Sequence, residues 1–232
     1  KKNIVLGNAL VDMYAKCGLL AKAQQVLEEL PARDLVSWNA LIAGHAQQRE
    51  GHAALKCFER MHCEGVSPNA LTYICVLKAC GRLRDIEQGK VIHAKVVSEG
   101  LSQVSALVSN ALLDMYPKCG ELTKVQEVFD KLPVRDIVSW NTMIAGYASH
   151  GDCYIAQRLF ENMQERCFLP DHVTILTMLK VNSNGSLHKQ LHVRITGAGY
   201  KSQILLRNAL IGTHFSSGFS YQAYDLFKKM QN

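Results

Sequence analysis

The side chains able to do chemistry in this 232-residue chain are easily listed, and the conventional catalytic arrangements are missing. His62-Cys63-Glu64 spells the His-x-Glu with which zinc deaminases hold metal and shuttle protons, but no Pro-Cys-x-x-Cys follows to complete the ligand set. Eight cysteines, Cys17, Cys57, Cys63, Cys75, Cys80, Cys119, Cys153 and Cys167, include no Cys-x-x-Cys pair, and most stand among apolar helix-type residues. They are expected to be reduced, mostly buried thiols, as in a reducing compartment. His93 and His192 lie apart from cysteine pairs and acidic clusters, which favours packing or surface positions over metal. Neither a phosphate-binding G-x-x-x-x-G-K-[ST] loop nor a G-x-S-x-G elbow occurs. No catalytic constellation, metal site or cofactor site is expected. What does recur is an amide: Asn8, Asn39, Asn110, Asn141 and Asn208, each offering one donor group and one acceptor.

The elements that hold these amides follow from an internal repeat. NALVDMYAKCGLL from Asn8 returns as NALLDMYPKCGEL from Asn110, 102 residues later, and weakly as NALIGTHFSSGFS from Asn208, 98 residues further on. LVSWNALIAGHAQ from Leu35 returns as IVSWNTMIAGYAS from Ile137, again 102 later. VLKACGRLRDIEQGKVIH from Val76 has a shortened counterpart in MLKVNSNGSLHKQLH from Met178. The units run 4–34, 35–69, 70–105, 106–136, 137–171, 172–203 and a truncated 204–232.

Each unit reads as two helices. Trp38, Leu41, Ile42 and His45 fall at i, i+3, i+4 and i+7, and Ala54, Leu55, Phe58 and Met61 repeat that spacing after a break at Gly51. Pro68, Pro133 and Pro170 punctuate the ends of second helices, and Pro117 is expected to kink or stop the helix that contains it. One hairpin cannot hide its own apolar stripes, so neighbours must stack. The fold expected is all-α, an α-solenoid of stacked helix-turn-helix repeats forming a right-handed superhelix with a concave inner surface.

Composition agrees: 48% apolar, 20% charged and 7% aromatic residues suit a globular chain with a real core. A net charge of +6 is compatible with a polyanionic partner without requiring one. Charged or amide side chains interrupt every run of eighteen apolar residues, so no membrane span is expected. The chain opens Lys1-Lys2-Asn3 with no leader, and any targeting segment is expected to lie outside it.

VSWNxxIAGxA in the 35-residue units, NALxDMYxKCG in the 31-residue units and VLKAC…GKxIHA in the long unit resemble the pentatricopeptide repeat family. The 102-residue cycle is similar to that of its plant organellar subclass, in which short, standard and long motifs alternate. The tetratricopeptide family shares the Trp38, Leu41, Ala54 and Phe58 spacing but lacks this cycle. The resemblance implies seven units: 4–34, 106–136 and a truncated 204–232 short, 35–69 and 137–171 standard, 70–105 long and 172–203 long but shortened.

It also implies binding of single-stranded RNA at about one base per repeat. The fifth and last residues of a unit would then select the base, and so Asn8 with Asp34 implies U, Asn39 with Asn69 C or U, Asn110 with Asp136 U, and Asn141 with Asp171 U. Asn208 lacks its partner, and the long units, carrying Ile74 with Ser105 and Leu176 with Gln203, fall outside the code. The implied footprint is 5′-U, pyrimidine, any, U, U, any. Val5, Val36, Leu107, Val138 and Leu205 would sandwich base faces, or else form an edge of the interhelix core. Lys16, Arg82 and Lys118 would meet phosphates, or else be solvated. The last residues Asp34, Asn69, Asp136 and Asp171 equally suit helix capping.

From the resemblance come an organellar location, mitochondrion or chloroplast, and a role as specificity module for C-to-U RNA editing, with an editing deaminase or accessory protein as partner. A splicing, stabilisation or translation adaptor, and a peptide-binding scaffold of tetratricopeptide type, are the alternatives. Three departures from the family pattern are present: the shortening around Asn182 to Leu187, an extra residue near Gln103 to Ser105, and Thr213-His214-Phe215-Ser216-Ser217-Gly218 in place of Met-Tyr-Ala-Lys-Cys-Gly.

Overall fold

A computed structural model describes residues 4–101, 105–181, 191, 193, 204–216 and 220–228. The expectations for His192 and Gln203, and the shortened segment around Asn182 to Leu187, lie outside the described residues. The described helices are α1 (Ile4–Lys16), α2 (Leu20–Glu28), α3 (Leu35–Gln47), α4 (Gly51–Cys63), α5 (Ala70–Leu83), α6 (Ile86–Ser98), α7 (Ala106–Lys118), α8 (Leu122–Asp130), α9 (Ile137–Ser149), α10 (Cys153–Glu165), α11 (His172–Val181), α12 (Ile204–Ser216) and α13 (Ser220–Lys228). No helix among the described residues is long and apolar enough to cross a membrane.

The chain divides into two compact units, residues 1–134 and 135–232. In the first, α1 packs on α2 and on α3, α3 on α4 and α5, and α5 on α6 and α7. In the second, α9 packs on α10 and α11, and α11 on α12, which pairs with α13. Within each unit the first helix of a hairpin thus stacks on the first helix of the next, the connectivity of an all-α solenoid.

The stacking is driven by the periodic apolar positions. Trp38, Leu41 and Ile42 on α3 and Trp140, Met143 and Ile144 on α9 are buried, as are Ala54, Phe58 and Met61 on α4. Each such large side chain contributes roughly 1.5–3 kcal/mol relative to exposure. Close approach of first helices needs small residues: a Cβ on Gly44 of α3 would stand 2.8 Å from Ala15 Cβ of α1. Capping boxes start α3, α5 and α9, with Asp34 and Ser37, Asn69 and Thr72, and Asp136 and Ser139 exchanging side-chain and backbone hydrogen bonds.

Three expectations change. The second helices end before their prolines: α4 stops at Cys63, where Gly65 takes φ +75° and the Gly65 and Val66 amides close onto His62 and Met61, so Pro68 only follows a finished turn. Pro117 does not stop α7, which runs to Lys118 as α1, with Ala15 in the same place, runs to Lys16. In the last turn the ring removes only one hydrogen bond of the helix, and Pro117 is buried there. The cysteines are free, but only Cys57, Cys75 and Cys80 are buried, while Cys17, Cys63, Cys153 and Cys167 are exposed. All four exposed thiols sit at helix ends, where no neighbouring hairpin covers them.

Candidate nucleic-acid interface

The amides sit on first helices, and the last residues of the units cap the first helices that follow. Stacking of α1 on α3 therefore brings a residue from the first turns of one helix against the cap of the next. Asn8 Nδ2 donates to Asp34 Oδ1 at 3.0 Å and Oδ2 at 2.9 Å. Asn39 Nδ2 donates to Asn69 Oδ1 at 3.2 Å, and Asn141 Nδ2 to Asp171 Oδ1 at 3.0 Å. Three of the expected pairs are thus in direct contact. Asn110, half-buried on α7, belongs to the first compact unit and Asp136 to the second. Asn208 is exposed on α12.

These amides do not project from the surface. Asn8, Asn39 and Asn141 are only 7–9% exposed, a depth that is tolerable because each has polar partners. Capping and pairing coexist: Asp34 accepts from Ser37 N–H at 2.9 Å, Asn69 from Thr72 N–H at 3.1 Å and Asp171 from Thr174 N–H at 2.9 Å while also receiving an amide of the preceding hairpin.

Burial pushes the Asp34 carboxyl up, but the Ser37 N–H, the Asn8 amide and the Ser37 side chain together outweigh it, and its pKa lies below the usual carboxylate range. Asp171 is lowered in the same way, burial being outweighed by the Thr174 N–H and hydroxyl and the Asn141 amide. Both are carboxylates at neutral pH, able only to accept. An acceptor-only partner forces each Asn to turn its NH2 toward it and its carbonyl away.

Alongside the amides runs an aliphatic row. Val5, Val36, Leu107 and Val138 stand three residues before Asn8, Asn39, Asn110 and Asn141, hence on the same helix face, and all are exposed. Their exposure excludes a place in the interhelix core. Leu205 lies on α12, its side chain outside the described residues. Sequence reasoning missed that the row continues through the long units: Leu71 and Val173 occupy the same register, so that the six described members are between 41% and 76% exposed. Their signal was present, since they hold the second place of their units as Val36 does.

The basic residues differ from one another. Lys16 lies 2.6 Å from Asp12 and Lys118 2.6 Å from Asp114, each one helical turn away, whereas exposed Arg82 follows Lys78 at that spacing. His62 is exposed and stacks on Phe58, Glu64 pairs with Arg33 at 3.0 Å, and the described residues contain no group of three or more metal-type ligands. His93 meets the Tyr116 hydroxyl at 2.5 Å, its imidazole pKa held down by burial and by Lys131 and Lys124. It lines a cavity of about 470 Å3 between α6, α7 and α8 that includes none of the candidate residues.

A model described as PPR repeat family matches residues 33–82 and 135–183, and one described as PPR repeat matches 8–35 and 207–232. A putative pentatricopeptide repeat-containing protein of Arabidopsis thaliana, named as mitochondrial, is 41% identical over 186 residues, 80% of this chain and 30% of that protein. A second from Arabidopsis thaliana, named as chloroplastic, is 34% identical over 232 residues, 99% of this chain and 44% of that protein. The chain therefore spans less than half the length of these relatives. Among solved structures, the pentatricopeptide repeat protein PPR10 in complex with an 18-nt psaJ RNA element is similar with TM-score 0.75 and 20% identity, over 99% of this chain and 35% of that one. PPR10 from maize gives TM-score 0.73 at 20% identity, over 97% and 34%. With the repeat models matched in both compact units and the hairpin stacking they require, the chain belongs to the pentatricopeptide repeat family.

Proposed function

We propose that this chain binds single-stranded RNA sequence-specifically, reading about one base per repeat with the pairs Asn8–Asp34, Asn39–Asn69, Asn110–Asp136 and Asn141–Asp171. The observation that carries the reading is the contact between amide and cap in three of these pairs, each beside an exposed aliphatic residue. Its chemistry favours pyrimidines. A carboxylate can accept from the N3–H of uracil, which suits Asp34 and Asp171. Asn69 has its Oδ1 held by Thr72 N–H, so its NH2 is left as a donor toward the N3 acceptor of cytosine. Val5, Val36, Leu107, Val138 and Leu205 flank the bases, joined by Leu71 and Val173. Arg82, with Lys16 and Lys118 in competition with Asp12 and Asp114, meets phosphates.

The alternation of 31-, 35- and 36-residue units supports the short, standard and long subclass, and with it a role as specificity module for C-to-U editing of an organelle transcript. Catalysis would come from an editing deaminase or accessory protein. Relatives named as mitochondrial and as chloroplastic support an organellar setting.

The test is selection of bound RNA from a random pool, backed by filter binding to a U-rich RNA and a purine control. The expected result is a footprint 5′-U, pyrimidine, any, U, U, any, with Asn141→Thr moving its position from U toward G. Equal binding of the purine control would refute the reading and favour a peptide scaffold.

A further inference from the structure

The hydroxyl at the third residue of each following helix has two settings, and they divide the amides into two kinds. On α3, Ser37 Oγ accepts from Asp34 N–H at 3.0 Å and donates to the Asp34 backbone carbonyl at 2.9 Å. Its proton is turned back on its own cap. Asn8 then straddles both Asp34 oxygens through a single NH2, and its Oδ1 is buried with no hydrogen-bond partner among the described residues.

On α5, Thr72 Oγ1 accepts from Asn69 N–H at 3.1 Å and approaches Asn39 Oδ1 at 2.6 Å. On α11, Thr174 Oγ1 accepts from Asp171 N–H at 3.1 Å and approaches Asn141 Oδ1 at 2.5 Å. A hydroxyl has one proton; each threonine's own cap oxygen, Asn69 Oδ1 at 3.0 Å and Asp171 Oδ1 at 2.9 Å, competes for it, and the shorter contact, to the carbonyl of the preceding hairpin's amide, takes it. Asn39 and Asn141 are consequently held at both ends, by NH2 and by C=O. Asn8 is held at one.

We infer that Thr72 and Thr174 are positioning residues for base recognition: they pin the amide's direction from the neighbouring hairpin, and the units read by Asn39 and Asn141 discriminate bases more sharply than the unit read by Asn8. This rests on the reading that the amides meet bases. The physical reason is rotational. Asp34 prevents Asn8 from flipping, because a carbonyl cannot face a carboxylate, but nothing holds the carbonyl end against swinging. A buried acceptor without a partner also favours rearrangement. An amide anchored through both groups presents its remaining N–H in one direction, and a base that needs a different direction finds no compliance.

Serine and threonine both complete the capping box here, so exchanging them leaves the cap in place. The experiment compares the 232-residue chain with T174S and S37T on RNAs that differ only at the base opposite Asn141, located as the position that N141T shifts, or only at the base opposite Asn8. T174S is expected to lower the preference for U over the next-best base about fivefold, the effect of one hydrogen bond, with the salt dependence of binding unchanged; because Thr174 is buried, loss of its methyl also lowers the melting midpoint modestly. In the RNA-free chain the Asn141 side-chain N–H signals should exchange faster with water in T174S. S37T is expected to raise the preference at the Asn8 position. Unchanged preference in T174S overturns the positioning role alone. Absence of any base preference in the unmodified chain overturns the RNA reading, and this inference with it.

Discussion

First helices and second helices join neighbouring hairpins by opposite means. Between first helices the joint is recessed and uncharged on one side: Asn8 to Asp34, Asn39 to Asn69, Asn141 to Asp171. Around the second helices it consists of exposed or half-exposed ion pairs, Arg33 with Glu64 at 3.0 Å, Arg60 with Glu28 at 3.4 Å and Lys90 with Glu121 at 3.6 Å. Arg60 also lies over the buried Trp38 ring at 5.5 Å. Long charged side chains in water attract weakly and tolerate many geometries, whereas a short amide against a cap works in only one. Directional information is concentrated on the first-helix side, the side that also exposes the aliphatic row.

Removing a cap is the strongest way to test that contrast. Asp171→Ala deprives Thr174 N–H and the Asn141 NH2 of their acceptor together, and should cost about 2 kcal/mol in chemical denaturation. Asp171→Asn, which still caps, should cost less than half as much; equal losses would mean that the carboxylate's charge outweighs the geometry. Val36→Ser touches neither cap nor core, and should weaken RNA binding by roughly threefold or more while leaving the melting midpoint alone. A lowered midpoint would return Val36 to a structural role.

Acid should act on the first-helix joint. Asp34 and Asp171 have lowered pKa values, so the stability they contribute is complete above the ordinary aspartate pKa and lost as pH falls through their folded values. Thermal melts should decline below about pH 4, and the double variant D34N/D171N should show a flatter decline over that range. The smallest effect belongs to the second-helix side: Glu64→Ala should change stability by no more than about 0.5 kcal/mol, in a salt-sensitive way, with base preference untouched. A change of base preference in that variant would erase the division between the two sides.

Much of the fold was legible because each unit repeats its apolar spacing and its cap together; Asp34-Leu35-Val36-Ser37 and Asp136-Ile137-Val138-Ser139 announce a helix start twice. Expectations failed where position along a helix mattered more than residue type. Cys17 and Cys167 lie close to apolar residues, Leu19-Leu20 and Phe168-Leu169, but stand at helix ends that nothing covers, and Pro117 falls in the one turn where its ring does little harm. In the candidate site the rows Asn8, Asn39, Asn141 and Val5, Val36, Val138 were recoverable from register alone. The roles of Thr72 and Thr174 were not, because a threonine at a helix start reads as half of a capping box.

The amino-acid order by itself determined the helices, their caps and the recurrence of an amide at a fixed place in successive hairpins, since these depend on neighbours a few residues apart. Tertiary structure alone decided that Asn8 meets Asp34 across 26 residues and Asn39 meets Asn69 across 30, and that a threonine hydroxyl holds the preceding amide while a serine turns away. Such contacts form only when one first helix lies on the next, because a hydrogen bond is set by distances within a few tenths of an ångström that no local pattern encodes.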